Sequence, residues 1–321
     1  MIKPILRYMP HEFSFDIVGV RFAAYVFTAV LVVGSIVSMA TRGFNFGIDF
    51  AGGVLMEVRT KSEQVVDLGK LRGEFHALEI GDVQLSTIGD TGKDVVIRVP
   101  QQAGGDEAQN AALKKAQGLL ADGFEIRRTD VVGPKVGGEL IISGALAVAL
   151  AIIAIAVYVW FRFEWQFALG TVLALCHDVL TTLGIFSIFQ IDFDLTAVAA
   201  ILTIAGYSVN DSVVVYDRVR EMLRKYKKMP LPELLNTAVN KVLPRTLLTV
   251  FTVLLTVIAL LLLGGSALFA FSIALLWGLF VGTFSSIRVG LPVLLYFDLR
   301  RDEVTGGSTV PDTASKKPQP A

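Results

Sequence analysis

The chain has 321 residues, of which 53% are hydrophobic and only 18% charged, with a mean hydropathy of +0.61. Soluble domains carry about 25% charged residues, so this composition excludes an ordinary soluble protein and points to the membrane. A net charge of zero argues against nucleic acid as a main partner, and one cysteine, Cys176, excludes an internal disulfide and suggests no metal cluster.

Residues 1–19 form a short leading segment, followed by a first apolar run over 20–40. The stretch SMA at 38–40 looks like a cleavage site. The apolar run is too long for a secretory signal, however, and is read as an uncleaved anchor.

Residues 41–138 hold most of the ordinary charged residues. Strands are expected at 54–60, 82–88, 94–100 and 124–132, and helices at 65–78 and 107–122, with GDTGK (89–93) as a hairpin turn. The order β-α-β-β-α-β is the ferredoxin-like pattern. His76 reads as a helix-end residue, and Gly47, Gly52 and Gly53 as turn glycines beside the membrane, since they follow no phosphate-loop spacing.

Five more apolar runs follow, over 140–161, 166–189, 195–216, 243–263 and 268–297, within a membrane region at 139–298. Each is long enough for a ~30 Å bilayer core. Residues 299–321, rich in Ser, Thr, Pro, Gly and Lys, are expected to be a disordered tail. The expected fold class is thus an α-helical polytopic membrane protein of six spans with an α+β ferredoxin-like insert between the first two.

Arg21 precedes the first span, Arg162 separates the second from the third, and seven Lys or Arg residues lie between the fourth and fifth. The short loops QIDFD (190–194) and GGS (264–266) have none. The positive-inside rule then places both termini in the cytoplasm and 41–138 outside.

Ionisable residues at membrane depth are costly and usually face protein or water. In the third span His177 and Asp178 lie near the middle, and Thr171, Asp178 and Thr182 share a face. In the fourth, Thr203, Tyr207 and Asn210 fall at i, i+4, i+7, with Asp211 beside Asn210. In the fifth, Arg245, Thr249, Thr252 and Thr256 form one polar line, and Pro244 reads as a first-turn proline. Two readings stand for the hydroxyls: a proton path, or bonding back to their own helix backbone. Arg245 either belongs to that path or snorkels to the surface. Asp211 lies about five residues inside the basic cluster, so shallow burial stays open, and Asn210, which cannot titrate, reads as the structural member of the pair. The sixth span carries Gly278, Gly282, Ser286 and Gly290 as a ridge for close packing, and Arg288, which either snorkels or pairs with an acid.

FNFGIDFAGG (44–53), VGPKVGGEL (132–140), GYSVNDSVVVYDRVRE (206–221), RTLLT (245–249) and SSI (285–287) resemble the SecF-type subunits of the bacterial Sec protein-export machinery. These belong to the SecD/SecF family, related to resistance–nodulation–division transporters. The resemblance covers about residues 14–298. It implies a SecD heterodimer partner, association with the SecYEG channel and YajC, and use of proton motive force to draw preproteins outward across the cell inner membrane. It implies no enzyme activity and no cofactor beyond the proton gradient. It carries the family's intramembrane aspartate onto Asp211 and its fifth-span arginine and threonine onto Arg245 and Thr249. With a weaker claim, it carries the third-span pair onto His177 and Asp178. Arg288 departs from the family, which usually has an apolar residue there. Half of a proton-coupled small-molecule exporter and a non-transporting scaffold for the channel are the alternatives. The single insert of about a hundred residues argues against the exporter.

Overall fold

The computed structural model describes residues 13–62, 64–88, 92–297 and 299. The expected tail and the tip of the hairpin turn lie outside them. Among the described residues, six helices are long and apolar enough to cross a membrane. They are α1 (Arg21–Arg42), α5 (Pro134–Arg162), α6 (Trp165–Phe189), α7 (Leu195–Lys225), α8 (Leu231–Leu263) and α9 (Gly265–Ser285). The run of α9 continues through a π-turn at Ser286–Gly290 and short helical turns to Tyr296.

Between α1 and α5 come a short helix α2 (Ile48–Ala51), β1 (Gly53–Thr60), α3 (Leu68–His76), β2 (Gln84–Ile88), β3 (Asp94–Val99), α4 (Gly105–Leu120) and β4 (Phe124–Val132). The sheet order is β2-β3-β1-β4 with every neighbouring pair antiparallel, the arrangement of a ferredoxin-like fold. Alternation along β1 turns Val54, Met56 and Val58 inward. They meet Val95, Ile97 and Val99 of β3 and Phe75, Ala112, Ala116 and Leu120 of the two helices in one core.

The sheet is fastened to the helical bundle through the FNFGIDFAGG stretch. Gly52 and Gly53 have φ of 73° and 119°, and a Cβ on Gly53 would sit 2.5 Å from the Val99 carbonyl oxygen, so only glycine lets α2 turn into β1 here. Asp49 of α2 accepts a hydrogen bond from the Leu195 amide at 3.0 Å, satisfying one free donor at the start of α7. Arg98 of β3 forms a forked ion pair with Asp192, one arm at 2.7 Å, and Asn45 donates to the same carboxylate at 2.7 Å. Phe44, Phe46, Phe50, Phe186 and Phe193 stack around this joint.

Two boundaries differ from expectation. The fourth and fifth spans continue to Lys225 and begin at Leu231, well beyond the apolar runs. The polar-looking segment 231–242 is amphipathic: it buries Leu234, Leu235, Ala238 and Val239 against Val215, Val219, Met222 and Leu223 of α7. Pro244 is therefore inside α8 and not in its first turn. It withholds the amide that would bond to the carbonyl of Asn240, a loss the helix sustains because packing on both sides holds its course.

At the same end, residues 15–18, the last two already in the turn that leads into α1, lie along the start of α8. Asn240 reads both backbone groups of Phe15, accepting from its amide at 3.0 Å and donating to its carbonyl at 2.9 Å. Asn236 accepts from the amides of Ile17 and Val18, each at 2.9 Å, and donates to Asp16 at 2.8 Å. The Gly19 amide also bonds to Asp16 and, with Asn236, Arg288 and Arg21, holds its carboxyl below the usual range. Arg288 thus sends its charge to this end of the bundle, towards an acid on the leading segment.

Candidate functional site

The interior of the bundle holds a line of polar side chains where α6, α7 and the end of α9 meet. Thr171, Asp178 and Thr182 share the buried face expected from their spacing, each 0% exposed. Asp178 is satisfied on both oxygens. Oδ2 accepts from the Ser208 hydroxyl at 2.7 Å, and Oδ1 lies 3.0 Å from His177 Nδ1. The other ring nitrogen of His177, Nε2, is buried without a partner. The chain continues through Ser212, which donates to Ser286 at 3.0 Å, and Ser286, which donates to the Ser208 carbonyl at 3.2 Å.

Small residues permit this approach. A Cβ on Gly282 would lie 3.3 Å from Ser208 Cβ and 3.6 Å from Asp178 Oδ2, and one on Gly278 would collide with Ile204 at 2.3 Å. Gly170 and Gly290 bring two backbones together, since a Cβ on Gly170 would fall 2.6 Å from the Gly290 carbonyl oxygen. Gly278, Gly282, Ser286 and Gly290 are thus the packing ridge expected of the sixth span. Ser286 opens a π-turn, a feature common at functional sites.

Asp211 sits on the same side of α7 as Ser208 and Ser212 and is 2% exposed. Its situation is unlike that of Asp178. Its Oδ2 has no hydrogen-bond partner. Thr283 is adjacent, but its hydroxyl proton points to the Leu279 carbonyl at 2.9 Å. Arg245 is within electrostatic reach, and Tyr207 and Thr249 stand near each other on the adjoining faces of α7 and α8.

The structure separates the other expected members. Asn210, next to Asp211 in sequence, is exposed on the opposite side of α7 along with Thr203. One residue is a turn of 100°, so an adjacent pair cannot share a narrow buried face. Arg245, Thr252 and Thr256 are exposed on the flank of α8, and Thr249 is half-buried. The three threonines donate to their own helix, to the carbonyls of Thr246, Thr249 and Thr252. They bond locally and make no continuous wire.

Sequence reasoning missed Ser208, Ser212 and Ser286 as one bonded set. The i, i+4 spacing of the first two was a signal, but their partner is 74 residues further on. It also missed Asp192 with Arg98, and Asn236 with Asn240, whose roles depend on what they meet in space. Among the described residues no group of acidic, histidine or cysteine side chains is arranged to hold a metal ion.

A six-span bundle with a ferredoxin-like insert, and two buried carboxylates on neighbouring helices, defines a polytopic membrane protein of transport type. Residues 112–300 match the family model described as Protein export membrane protein SecD/SecF, C-terminal, and residues 37–64 match the SecD/SecF GG motif. The Protein translocase subunit SecF of Rickettsia akari is 45% identical over 298 residues, covering 92% of this chain and 96% of that protein. The crystal structure of SecDF from Thermus thermophilus superposes with a TM-score of 0.78 at 32% identity, over 90% of this chain and 39% of the SecDF chain. A SecDF structure in the super-membrane-facing form gives 0.65 over 91% of this chain and 40% of that chain. The chain belongs to the SecD/SecF family of protein-export membrane proteins and, by its relatives, has an accessory role in Sec translocation. It spans well under half the length of the SecDF chains.

Proposed function

We propose that this protein couples proton movement to the export of preproteins, acting with SecD in the bacterial inner membrane beside SecYEG and YajC. Its termini are cytoplasmic and its ferredoxin-like domain periplasmic, as the distribution of Lys and Arg supports. The observation that carries the reading is the contrast at Asp211: a carboxyl 2% exposed, with one oxygen unpartnered and a guanidinium nearby. A buried carboxyl with an oxygen left unpartnered is free to gain and lose a proton as its surroundings change, whereas both oxygens of Asp178 are engaged by His177 and Ser208.

The likeness to SecDF supports a partner. In such a complex the exposed flank of α7 and α8, with Thr203, Asn210 and Arg245, faces the helices of SecD. Arg245 then joins Asp211 to that interface, and a change in how the two chains pack alters the arginine's hold on the carboxyl. One proton crossing 100 mV supplies about 2.3 kcal/mol, enough to bias a two-state arrangement of the periplasmic domain. Asn210 serves the interface, and His177 and Asp178 hold α6 against α7.

Asp211→Asn keeps the shape and removes the titration. In inverted membrane vesicles with an imposed proton gradient, this variant is expected to lose gradient-driven stimulation of export while still co-purifying with SecD. Stimulation equal to that of the parent protein would sink the coupling role.

A further inference from the structure

The charged end of α7 forms a site of its own. At 1.5 Å per residue a ~30 Å core takes about 20 residues, so a path entering at Leu195 leaves the core near residue 215. Asp217, Arg220, Glu221, Arg224 and Lys225 then stand at headgroup level beside Arg162 at the end of α5. These six side chains line an open cleft of about 540 Å³.

Four are cationic and two anionic, and both anions are engaged. Asp217 pairs with Arg162 Nη2 at 3.3 Å, and Glu221 pairs with Arg218, which lies outside the cleft lining. Arg220 donates through Nη1 to the Arg162 carbonyl at 3.3 Å, and its Nε–H finds no acceptor. The cleft lining thus holds more cations than anions. Its neighbourhood is amphipathic in the way an interface requires: Tyr158, Trp160, Phe161 and Trp165 are all exposed, Phe161 at 91%. Of the apolar stretch of α5, 0% is buried within the chain, which leaves that flank for acyl chains.

We propose that this cleft binds the phosphate headgroup of an anionic phospholipid, with its acyl chains laid along the exposed aromatic flank of α5. Guanidinium groups suit phosphate because their planar donors match its oxygens, and basic clusters between helix ends are known to take acidic headgroups. The lipid would bridge α5 and α7 outside their buried contact, in which Val159 packs with Val215, Tyr216 and Val219, and beside the surface pair Arg162–Asp217. The site does not depend on the coupling role of Asp211.

The test uses the full chain with Trp277→Phe, so that Trp160 and Trp165 report. It is reconstituted in vesicles of phosphatidylcholine containing an equal fraction of either brominated phosphatidylglycerol or brominated phosphatidylcholine. The brominated anionic lipid is expected to quench tryptophan more strongly, and Arg220→Gln with Arg224→Gln to cut that preference about fivefold per charge removed. Lys70→Gln, in the sheet domain, should change nothing. Equal quenching by the two lipids, or an unchanged preference in the double variant, would overturn the proposal. A preference abolished by inorganic phosphate in the buffer would mean a free-ion site and would overturn the lipid assignment. Where the double variant does not fold, the parent chain's own discrimination between the two lipids decides.

Discussion

Two aspartates, Asp178 and Asp211, lie on adjacent helices and are equally hidden from solvent, at 0% and 2% exposure. Asp178 has donors on both oxygens, supplied by its sequence neighbour and by a serine on α7. Asp211 has an orphaned oxygen and an arginine across a flank that is open in the isolated chain. Burial alone therefore says little about a carboxylate. What separates the two is how complete their hydrogen bonding is, and the proposed coupling role falls on the one with an unpartnered oxygen.

The most direct way to break that comparison is to truncate both acids. Asp178→Ala strands the His177 and Ser208 donors in the bundle interior and is expected to cost about 3 kcal/mol. Asp211→Ala removes an under-bonded group and should cost less than about 1 kcal/mol. Denaturant unfolding in detergent measures both, and equal losses would erase the distinction drawn between the two sites.

Packing at the same interface offers a second probe. Gly170→Val pushes its first carbon against the Gly290 backbone, and overpacking of this kind costs about 1–3 kcal/mol. If Asp178 is positioned by close approach of α6 to the π-turn, this variant should destabilise the chain while leaving the Asp211 side of the bundle untouched. Crosslinking between cysteines placed on α7 and α8 would report the latter.

The leading strap supplies a third contrast, between charge buried in the bundle and polar bonds at its surface. Asn236→Ala with Asn240→Ala deletes the bonds to residues 15–18, at about 1 kcal/mol per bond before solvent compensates. Amide exchange at Phe15, Ile17 and Val18 should quicken, with no change at β1. An unchanged exchange rate would mean that Ile17 and Val18, both buried, hold the strap by packing alone.

The smallest effect is expected in the sheet domain. The Asp94 carboxyl lies below its ordinary range, chiefly through the hydrogen bond from Arg59 at 2.8 Å, with Arg127 adding to it. A lowered folded-state value means that this pairing stabilises above the unfolded-state value and is lost as pH falls through the folded one. Acid unfolding of the sheet domain should therefore be shallower in Asp94→Asn than in the parent. An identical acid limb would assign the pH response to other groups.

Much of this was legible from local pattern. Apolar run lengths located all six spanning helices, short strand-type segments and a hairpin turn marked the four strands, and a shared helical face put Thr171, Asp178 and Thr182 together. Adjacency misled at Asn210 and Asp211, which a helix turns in different directions. The threonine line on α8 was equally visible, yet it faces outward and bonds to its own backbone. Where α7 and α8 continue past their apolar runs, hydropathy fails as a guide, because an amphipathic pair of helix ends is stabilised by mutual burial.

Sequence by itself determined the membrane class, the number of spans, the ferredoxin-like insert and the family, since each follows from patterns repeated within a short window. Tertiary structure decided which polar groups meet: Ser286 with Ser208 and Ser212, Arg98 with Asp192, Asp16 with Asn236. It also decided which of two buried aspartates keeps an oxygen without a hydrogen-bond partner. These depend on contacts between residues up to 220 positions apart, and no local period encodes a distance of that kind.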